Sequence, residues 1–144
     1  MLFTSESASR VNEFLVSKAY ADLTGYDTAA SFTVTGDVWV RIGGSVGTAI
    51  TSTSGTTTLA LGTTEAVGSI IAATTIDNSD FGATDSWVST SPTVDSERAD
   101  SNWVLISGGA DIVLTRSVDD ITAGSLTLYC EWKPLSSGAT VVAA

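Results

Sequence analysis

The stretch from Ser125 to Lys133 reads Ser-Leu-Thr-Leu-Tyr-Cys-Glu-Trp-Lys and alternates strictly between two kinds of side chain. Because successive side chains of a β-strand point to opposite faces, this alternation predicts a strand with one buried face and one solvated face. The residues predicted to face the core are Leu126, Leu128, Cys130 and Trp132. The stretch therefore predicts a protein built from packed sheets.

Similar runs recur from residue 30 onward, rich in β-branched and aromatic residues and separated by Gly, Asp, Ser and Thr. Their spacing predicts an all-β fold, an antiparallel β-sandwich or jelly roll of about eight strands. Gly43-Gly44 suggests a bulge or bend, and Gly108-Gly109 predicts a hairpin turn joining the last two runs before Ser125. Besides the Ser125–Lys133 stretch, the predicted strands are Ser31–Thr35, Asp37–Ile42 (with Val46–Ile50 as its continuation after Gly43-Gly44), Thr56–Leu61, Ala66–Thr74, Trp87–Ser89, Asn102–Ser107 and Ala110–Arg116.

The two ends of the chain differ from this β pattern. Residues 1–25 fit either an extended arm or strand, or a short helix, and we favour the arm because the following sequence is uniformly β. Residues 26–135 form the predicted sandwich, and residues 136–144 form a small, uncharged tail. We expect Met1–Leu23 and Ser136–Ala144 to act as arms that reach a neighbouring subunit and have no core role.

The balance of charged residues argues against two classes of function, nucleic-acid binding and membrane binding. The chain has 144 residues, with 16 acidic and 6 basic side chains and a net charge of −10. So few cations cannot form the basic stripe that nucleic-acid binding needs, and they give no attraction to an anionic membrane. The start of the sequence lacks the basic and apolar regions of a signal peptide, so we expect synthesis in a cytoplasm.

The residue inventory argues against catalysis. The chain contains no His and one Cys, so Ser-His-Asp and Cys-His arrangements are excluded. Cys130 lies on the predicted core face, where apolar burial raises the pKa of a thiol and makes it a small hydrophobe. We predict a protein that is not an enzyme and has no catalytic residues.

Metal and cofactor sites are not predicted either. Zinc would need more thiolate or imidazole ligands than the chain has. Calcium ligands could come from the acidic loop, but the loop lacks the spacing and terminal Glu of an EF-hand. Asp and Asn also bond their own backbone in turns, and we favour that interpretation. The loop residues are Asp77, Asn78, Asp80 and Asp85, and Asp119-Asp120 form a second acidic pair.

Four tryptophans, Trp39, Trp87, Trp103 and Trp132, allow two interpretations. Exposed aromatic rings on a β-sandwich can form a carbohydrate-binding platform. Packing in the core or at a subunit interface is the commoner use of such large side chains. We favour packing and retain carbohydrate binding as the alternative.

The segments Asp111–Leu114 and Asp119–Trp132 resemble small structural proteins of tailed bacteriophages. The resemblance extends more weakly to Phe32–Val40 and to Ile71–Thr75, and covers about two-thirds of the chain. It implies a virion component, and within that class we favour a capsid decoration (cement) protein. A tail or head-fibre component and a carbohydrate-binding module are the alternatives.

The resemblance also implies partners and a location. We expect a homo-oligomer, with a trimer favoured, that binds the major capsid protein lattice through protein–protein contacts. The expected location is the capsid surface of the virion, after synthesis in the cytoplasm of the host bacterium. Neither direct nucleic-acid binding nor membrane binding is expected.

Overall fold

The computed structural model describes residues 14–76, 81–96 and 103–144, and within these ranges all regular structure is β. Thirteen strands occur there. They are β1 (Leu15–Tyr20), β2 (Ala29–Thr35), β3 (Val38–Val46), β4 (Thr51–Ser52), β5 (Thr58–Gly62), β6 (Ile71–Thr75), β7 (Asp85–Trp87), β8 (Thr93–Val94), β9 (Val104–Ile106), β10 (Ile112–Ser117), β11 (Ile121–Ala123), β12 (Leu126–Pro134) and β13 (Thr140–Ala143).

The first sheet has the order β1-β12-β3-β7-β8, and β9 pairs with β3 beside β7. β12 and β3 form its longest antiparallel ladder, from Leu126 opposite Val46 to Pro134 opposite Val38. The predicted alternation of β12 is confirmed, since its four apolar residues are buried and Tyr129 between them is 47% exposed.

The second sheet has the order β13-β2-β10-β5-β6, and β4 pairs with β11 in a separate two-stranded sheet. The two larger sheets pack face to face around one hydrophobic core. Its members come from both sheets and from the connections between them, including Phe32, Val40, Ile50, Leu61, Ile112, Leu114, Ile121 and Leu128. This arrangement is a sandwich of antiparallel sheets.

The all-β, sandwich-like prediction is confirmed, but the expected number of about eight strands is wrong. The strands without a predicted counterpart include β4, β8 and β11, which have two or three residues each. A run that short contains at most one full period of the strand pattern, so its sequence carries no alternation signal.

The predicted hairpin around Gly108-Gly109 is also wrong. β9 pairs with β3 in the first sheet, whereas β10 pairs with β2 and β5 in the second. Both glycines have positive φ, as a tight turn requires, but the turn carries the chain across the sandwich between the sheets. Glycine identifies such a turn without specifying which strands it joins.

Gly43-Gly44 does not form the expected bulge, because both residues lie in the regular β3–β12 register. A Cβ atom on Gly44 would lie 2.9 Å from Leu126 Cδ1 and 3.4 Å from the Trp87 ring. Gly44 therefore makes room for core side chains rather than bending the strand.

The terminal segments belong to the sandwich. Residues 1–13 lie outside the described residues, but residues 15–20 form strand β1, not the helix allowed as an alternative. Leu23 and, near the other end, Ala139 and Val141 are buried in the core. The expectation that these segments have no core role is therefore wrong for their described residues.

The edge strands β1 and β13 lie near each other on one side of the sandwich. The Lys18 ammonium donates to the carbonyl of Ala144, and the hydroxyls of Tyr20 and Ser31 are 2.7 Å apart. Within residues 14–76, 81–96 and 103–144, no helix is present that is long and apolar enough to span a membrane.

We predict that Gly124→Ala lowers the free energy of unfolding by about 2–4 kcal/mol, because the new methyl group adds overpacking to an unfavourable backbone conformation. Gly124 has φ +134°, and a Cβ there would lie 2.7 Å from Ile50 Cα. Gly25→Ala is the matched control, since Gly25 also has positive φ but has no atom within 4 Å of the added Cβ. Urea unfolding should show a clearly smaller loss for the control, and equal losses would contradict the steric argument.

Candidate functional site

The acidic residues considered as calcium ligands are only partly described. Asp77, Asn78 and Asp80 lie outside the described residues, and Asp85 begins β7. One Asp85 carboxylate oxygen accepts a hydrogen bond of 2.8 Å from the backbone N–H of Gly82, as turn carboxylates do. Among the described residues, no group of three or more His, Cys, Asp or Glu side chains is placed to hold a metal ion.

Cys130 is completely buried, as its position in the alternating stretch predicts. It pairs with Val16 of β1 and with Ile42 of β3, so apolar strands flank it on both sides. Its thiol lies 3.7 Å from the carbonyl oxygen of Glu131, to which it is a weak donor. This environment suits a packing residue rather than a nucleophile.

Two described groups have shifted pKa values. Burial is the main cause that raises the pKa of Tyr26, whose hydroxyl donates to the carbonyl of Leu114 at 2.9 Å. Hydrogen bonds from Thr24 lower the pKa of the exposed Asp22 carboxyl. Both residues belong to the β1–β2 connection, and their hydrogen bonds fix that loop in place.

The four tryptophans have different environments. Trp87 is completely buried, with its ring centroid 5.3 Å from that of Phe81 and its indole N–H donating to Thr74 Oγ1 at 2.9 Å. Trp132 is 8% exposed and packs edge-on against Phe14. The other two, Trp39 and Trp103, lie on the outer side of the first sheet.

These two tryptophans belong to an exposed cluster that we call the aromatic–cationic face, formed by Trp39, Arg41, Trp103, Leu105 and Lys133. Strand pairing places Trp39 between Lys133 of β12 and Leu105 of β9. Trp39 is 37% exposed and Leu105 is 50% exposed, so large apolar side chains remain in contact with solvent.

Two cations lie over the Trp103 ring. The Arg41 guanidinium carbon is 4.8 Å from the ring centroid, and the Lys133 ammonium is 4.6 Å from it. Both distances are within the range of cation–π attraction. Arg41 also forms a 2.7 Å ion pair with Glu131, which holds the guanidinium in place. The cations of the face are therefore fixed rather than freely mobile.

A groove of about 490 Å³ lies beside this face. Its lining combines three members of the face, Arg41, Trp103 and Lys133, with Phe14, Leu15, Glu131 and Trp132. Two buried donors near it, Arg41 Nε and Trp132 Nε1, have no hydrogen-bond partner within the described part of the chain. The groove thus offers an apolar wall together with positive charge.

The charge of this region differs from that of the whole molecule. Glu131 is the carboxylate that lines the groove beside this face, and it forms an ion pair of 2.7 Å with Arg41. The chain as a whole has a net charge of −10. The aromatic–cationic face is thus a locally positive region on an acidic protein.

The sequence indicates some members of the face individually but not the group. The tryptophan content points to Trp39 and Trp103 as possible sugar platforms, and Lys133 ends the alternating stretch, whereas Leu105 is not singled out. Their grouping depends on β9 lying beside β3, which the predicted β9–β10 hairpin would have prevented. The available signal was the alternation of Trp39 and Arg41 with the valines of β3.

Comparison of the chain with protein-family models, with curated proteins and with solved structures found no match.

We predict that Cys130→Ser lowers the free energy of unfolding by about 1–3 kcal/mol, because a hydroxyl is then buried without an adequate partner. Native protein should react slowly with a maleimide, as followed by mass spectrometry. Ser17→Cys in the Cys130→Ser background is the control, because Ser17 lies on the exposed side of β1 and its thiol should label rapidly. Equally rapid labelling of native Cys130 would contradict its burial.

Proposed function

We propose that the protein is a structural component of a bacteriophage virion, most specifically a capsid decoration protein that acts through protein–protein contacts. The aromatic–cationic face is the observation that carries this proposal. Tryptophan and arginine are enriched at protein interfaces, and exposed apolar patches on soluble proteins mark interaction surfaces. In this proposal the protein self-associates, with a trimer favoured, and binds the major capsid protein lattice at the capsid surface.

The scaffold supports the same function. A decoration protein has to present contact surfaces in fixed positions, and here one core joins the two larger sheets. We also propose that the sandwich is of the jelly-roll type, because neighbouring strands in the order β13-β2-β10-β5-β6 come from distant parts of the sequence. The resemblance of the second half of the chain to phage structural proteins adds to this support.

We predict that the purified protein binds undecorated phage heads saturably and in a copy number that matches the symmetry of the capsid lattice. Co-sedimentation followed by quantitative mass spectrometry would measure this stoichiometry. Heads already carrying their decoration protein are the control and should bind little. A few copies per particle would instead support a tail or head-fibre component, and a protein that ignores heads would contradict the proposal.

The alternative, a carbohydrate-binding module, rests on the exposure of Trp39. Stacking a sugar requires a free aromatic face, and two cations already lie over the Trp103 ring. With Trp87 and Trp132 buried, Trp39 remains as a single isolated platform. We therefore rank this function below assembly through protein contacts.

We predict no saturable change in tryptophan fluorescence when the protein is titrated with a panel of soluble glycans. The reason is that a single exposed indole provides too little stacking surface for specific sugar binding. Trp39→Ala is the matched variant, since it removes the proposed platform without opening the core. A saturable isotherm for the native protein that Trp39→Ala abolishes would reverse the order of the two functions.

A further inference from the structure

A second unusual surface lies in the turn between β10 and β11. We call residues 117–120 the Val118 knob, because the Val118 side chain is 65% exposed at its tip. Asp119 and Asp120 follow it directly, and the Asp120 side chain is 73% exposed. The knob therefore combines a protruding apolar group with two carboxylates.

The backbone of the Val118 knob is in an unfavourable conformation. Val118 has φ +75°, and a β-branched residue with positive φ is a genuine outlier. Phe81, Thr84 and Asp95 also have positive φ. The Phe81 side chain is buried against Trp87, and the backbone N–H of Thr84 donates to the carbonyl of Val46 at 3.0 Å. Val118 has no such burial. Its strained, outward-pointing conformation therefore suggests a role outside the core of its own chain.

Arg116 holds the knob in this conformation. Its guanidinium donates to the carbonyls of Val118 at 3.5 Å and of Asp119 at 3.0 Å, and its Nε donates to the carbonyl of Tyr26 at 2.8 Å. The backbone N–H of Thr53 also donates to the carbonyl of Asp120 at 3.2 Å. A surface that is fixed before binding loses less conformational entropy when a partner is bound.

The Val118 knob and the aromatic–cationic face are complementary in chemistry. The knob presents one small apolar side chain and the carboxylates of Asp119 and Asp120, of which Asp120 lies 3.7 Å from the Arg116 guanidinium in an exposed ion pair. The face presents exposed indole and leucine side chains, the cations Arg41 and Lys133, and a groove of about 490 Å³. A valine side chain fits such a groove, and the flanking carboxylates would then approach the two cations.

These two surfaces cannot meet within one molecule. Arg116, which holds the knob, donates to the carbonyl of Tyr26 in the loop that follows β1. The last residue of β1, Tyr20, pairs with Leu126 at the start of β12, so the knob lies toward that end of β12. Lys133 lies near the other end of β12. At about 3.3 Å per residue, the two ends are separated by about 23 Å along the sheet. Any contact between knob and face must therefore join two molecules.

We propose that the aromatic–cationic face binds the Val118 knob of a second copy of this chain. The contact is head-to-tail, because each copy binds one neighbour through its aromatic–cationic face and the other neighbour through its Val118 knob. Such contacts close into rings when the rotation between neighbours permits, and a ring of three would give the trimer. This inference rests on the self-association included in the proposed function and names the residues that produce it.

The first experiment measures the oligomeric state by sedimentation velocity across a concentration series. We expect Val118→Asp and Lys133→Glu each to weaken self-association by about tenfold or more. Val118→Asp replaces the apolar contact by a carboxylate that has to be desolvated against the apolar wall of the groove, whereas Lys133→Glu places like charges opposite Asp119 and Asp120. Val67→Asp is the matched control, because Val67 is 56% exposed, lies close to Glu65 and belongs to neither surface. It should associate like the native protein.

A mixing experiment tests the head-to-tail geometry. Val118→Asp keeps an intact face, and Lys133→Glu keeps an intact knob. Mixed in equal amounts, they should form a dimer through one restored contact, although each alone is monomeric. In a symmetrical face-to-face contact, by contrast, Val118→Asp alone would associate like the native protein, and adding Lys133→Glu would not increase its association.

The outcomes separate this inference from the proposed function. An oligomer that Val118→Asp leaves intact would overturn the knob–face contact while leaving the decoration function standing. A native protein that is monomeric but binds undecorated heads would also overturn the knob–face contact and leave the decoration function standing. It would identify the capsid as the partner that binds the face. A monomer that ignores heads would overturn both.

Discussion

The antiparallel pairing of β12 with β3 is the constraint on which the rest of the structure depends. Its inward side chains, including Cys130 and Trp132, form the centre of the core. Its outward side chains, including Glu131 and Lys133, form part of the aromatic–cationic face. A slip of one residue in this register would exchange the two sets, burying charges and exposing the core. One ladder therefore determines both stability and the surface available to partners.

The aromatic–cationic face differs in charge from the rest of the molecule. A net charge of −10 makes copies of this protein repel one another at long range. The fixed cations Arg41 and Lys133 provide a local region where a second acidic surface can approach. The ion pair with Glu131 and the Trp103 ring hold these cations in position before contact. In the proposed self-association, such a region would favour one defined orientation of the two copies.

The parts of the fold that the sequence predicts are those with a sustained pattern. β12 could be placed to within a residue, and the burial of Cys130 followed from its alternation. The short strands β4, β8 and β11 could not be predicted, since two or three residues are too few to show an alternation. The aromatic–cationic face could not be predicted as a unit either. The face forms because β9 pairs with β3 in the first sheet. The sequence of β9, followed by Gly108-Gly109, is typical of the first strand of a hairpin, so this pairing is determined by packing of the core and not by the local pattern.

The strand order also has a consequence for how the chain folds during synthesis. Among the described strands β1 pairs with β12, so β1 has no strand partner until β12 has been made. Non-local pairing of this kind slows folding, because a long loop has to close before any contact stabilises it. The nascent chain therefore carries an unpaired β1 until β12 has been synthesised. Rapid expression should favour aggregation of incomplete chains, and slower synthesis or chaperone binding should protect them.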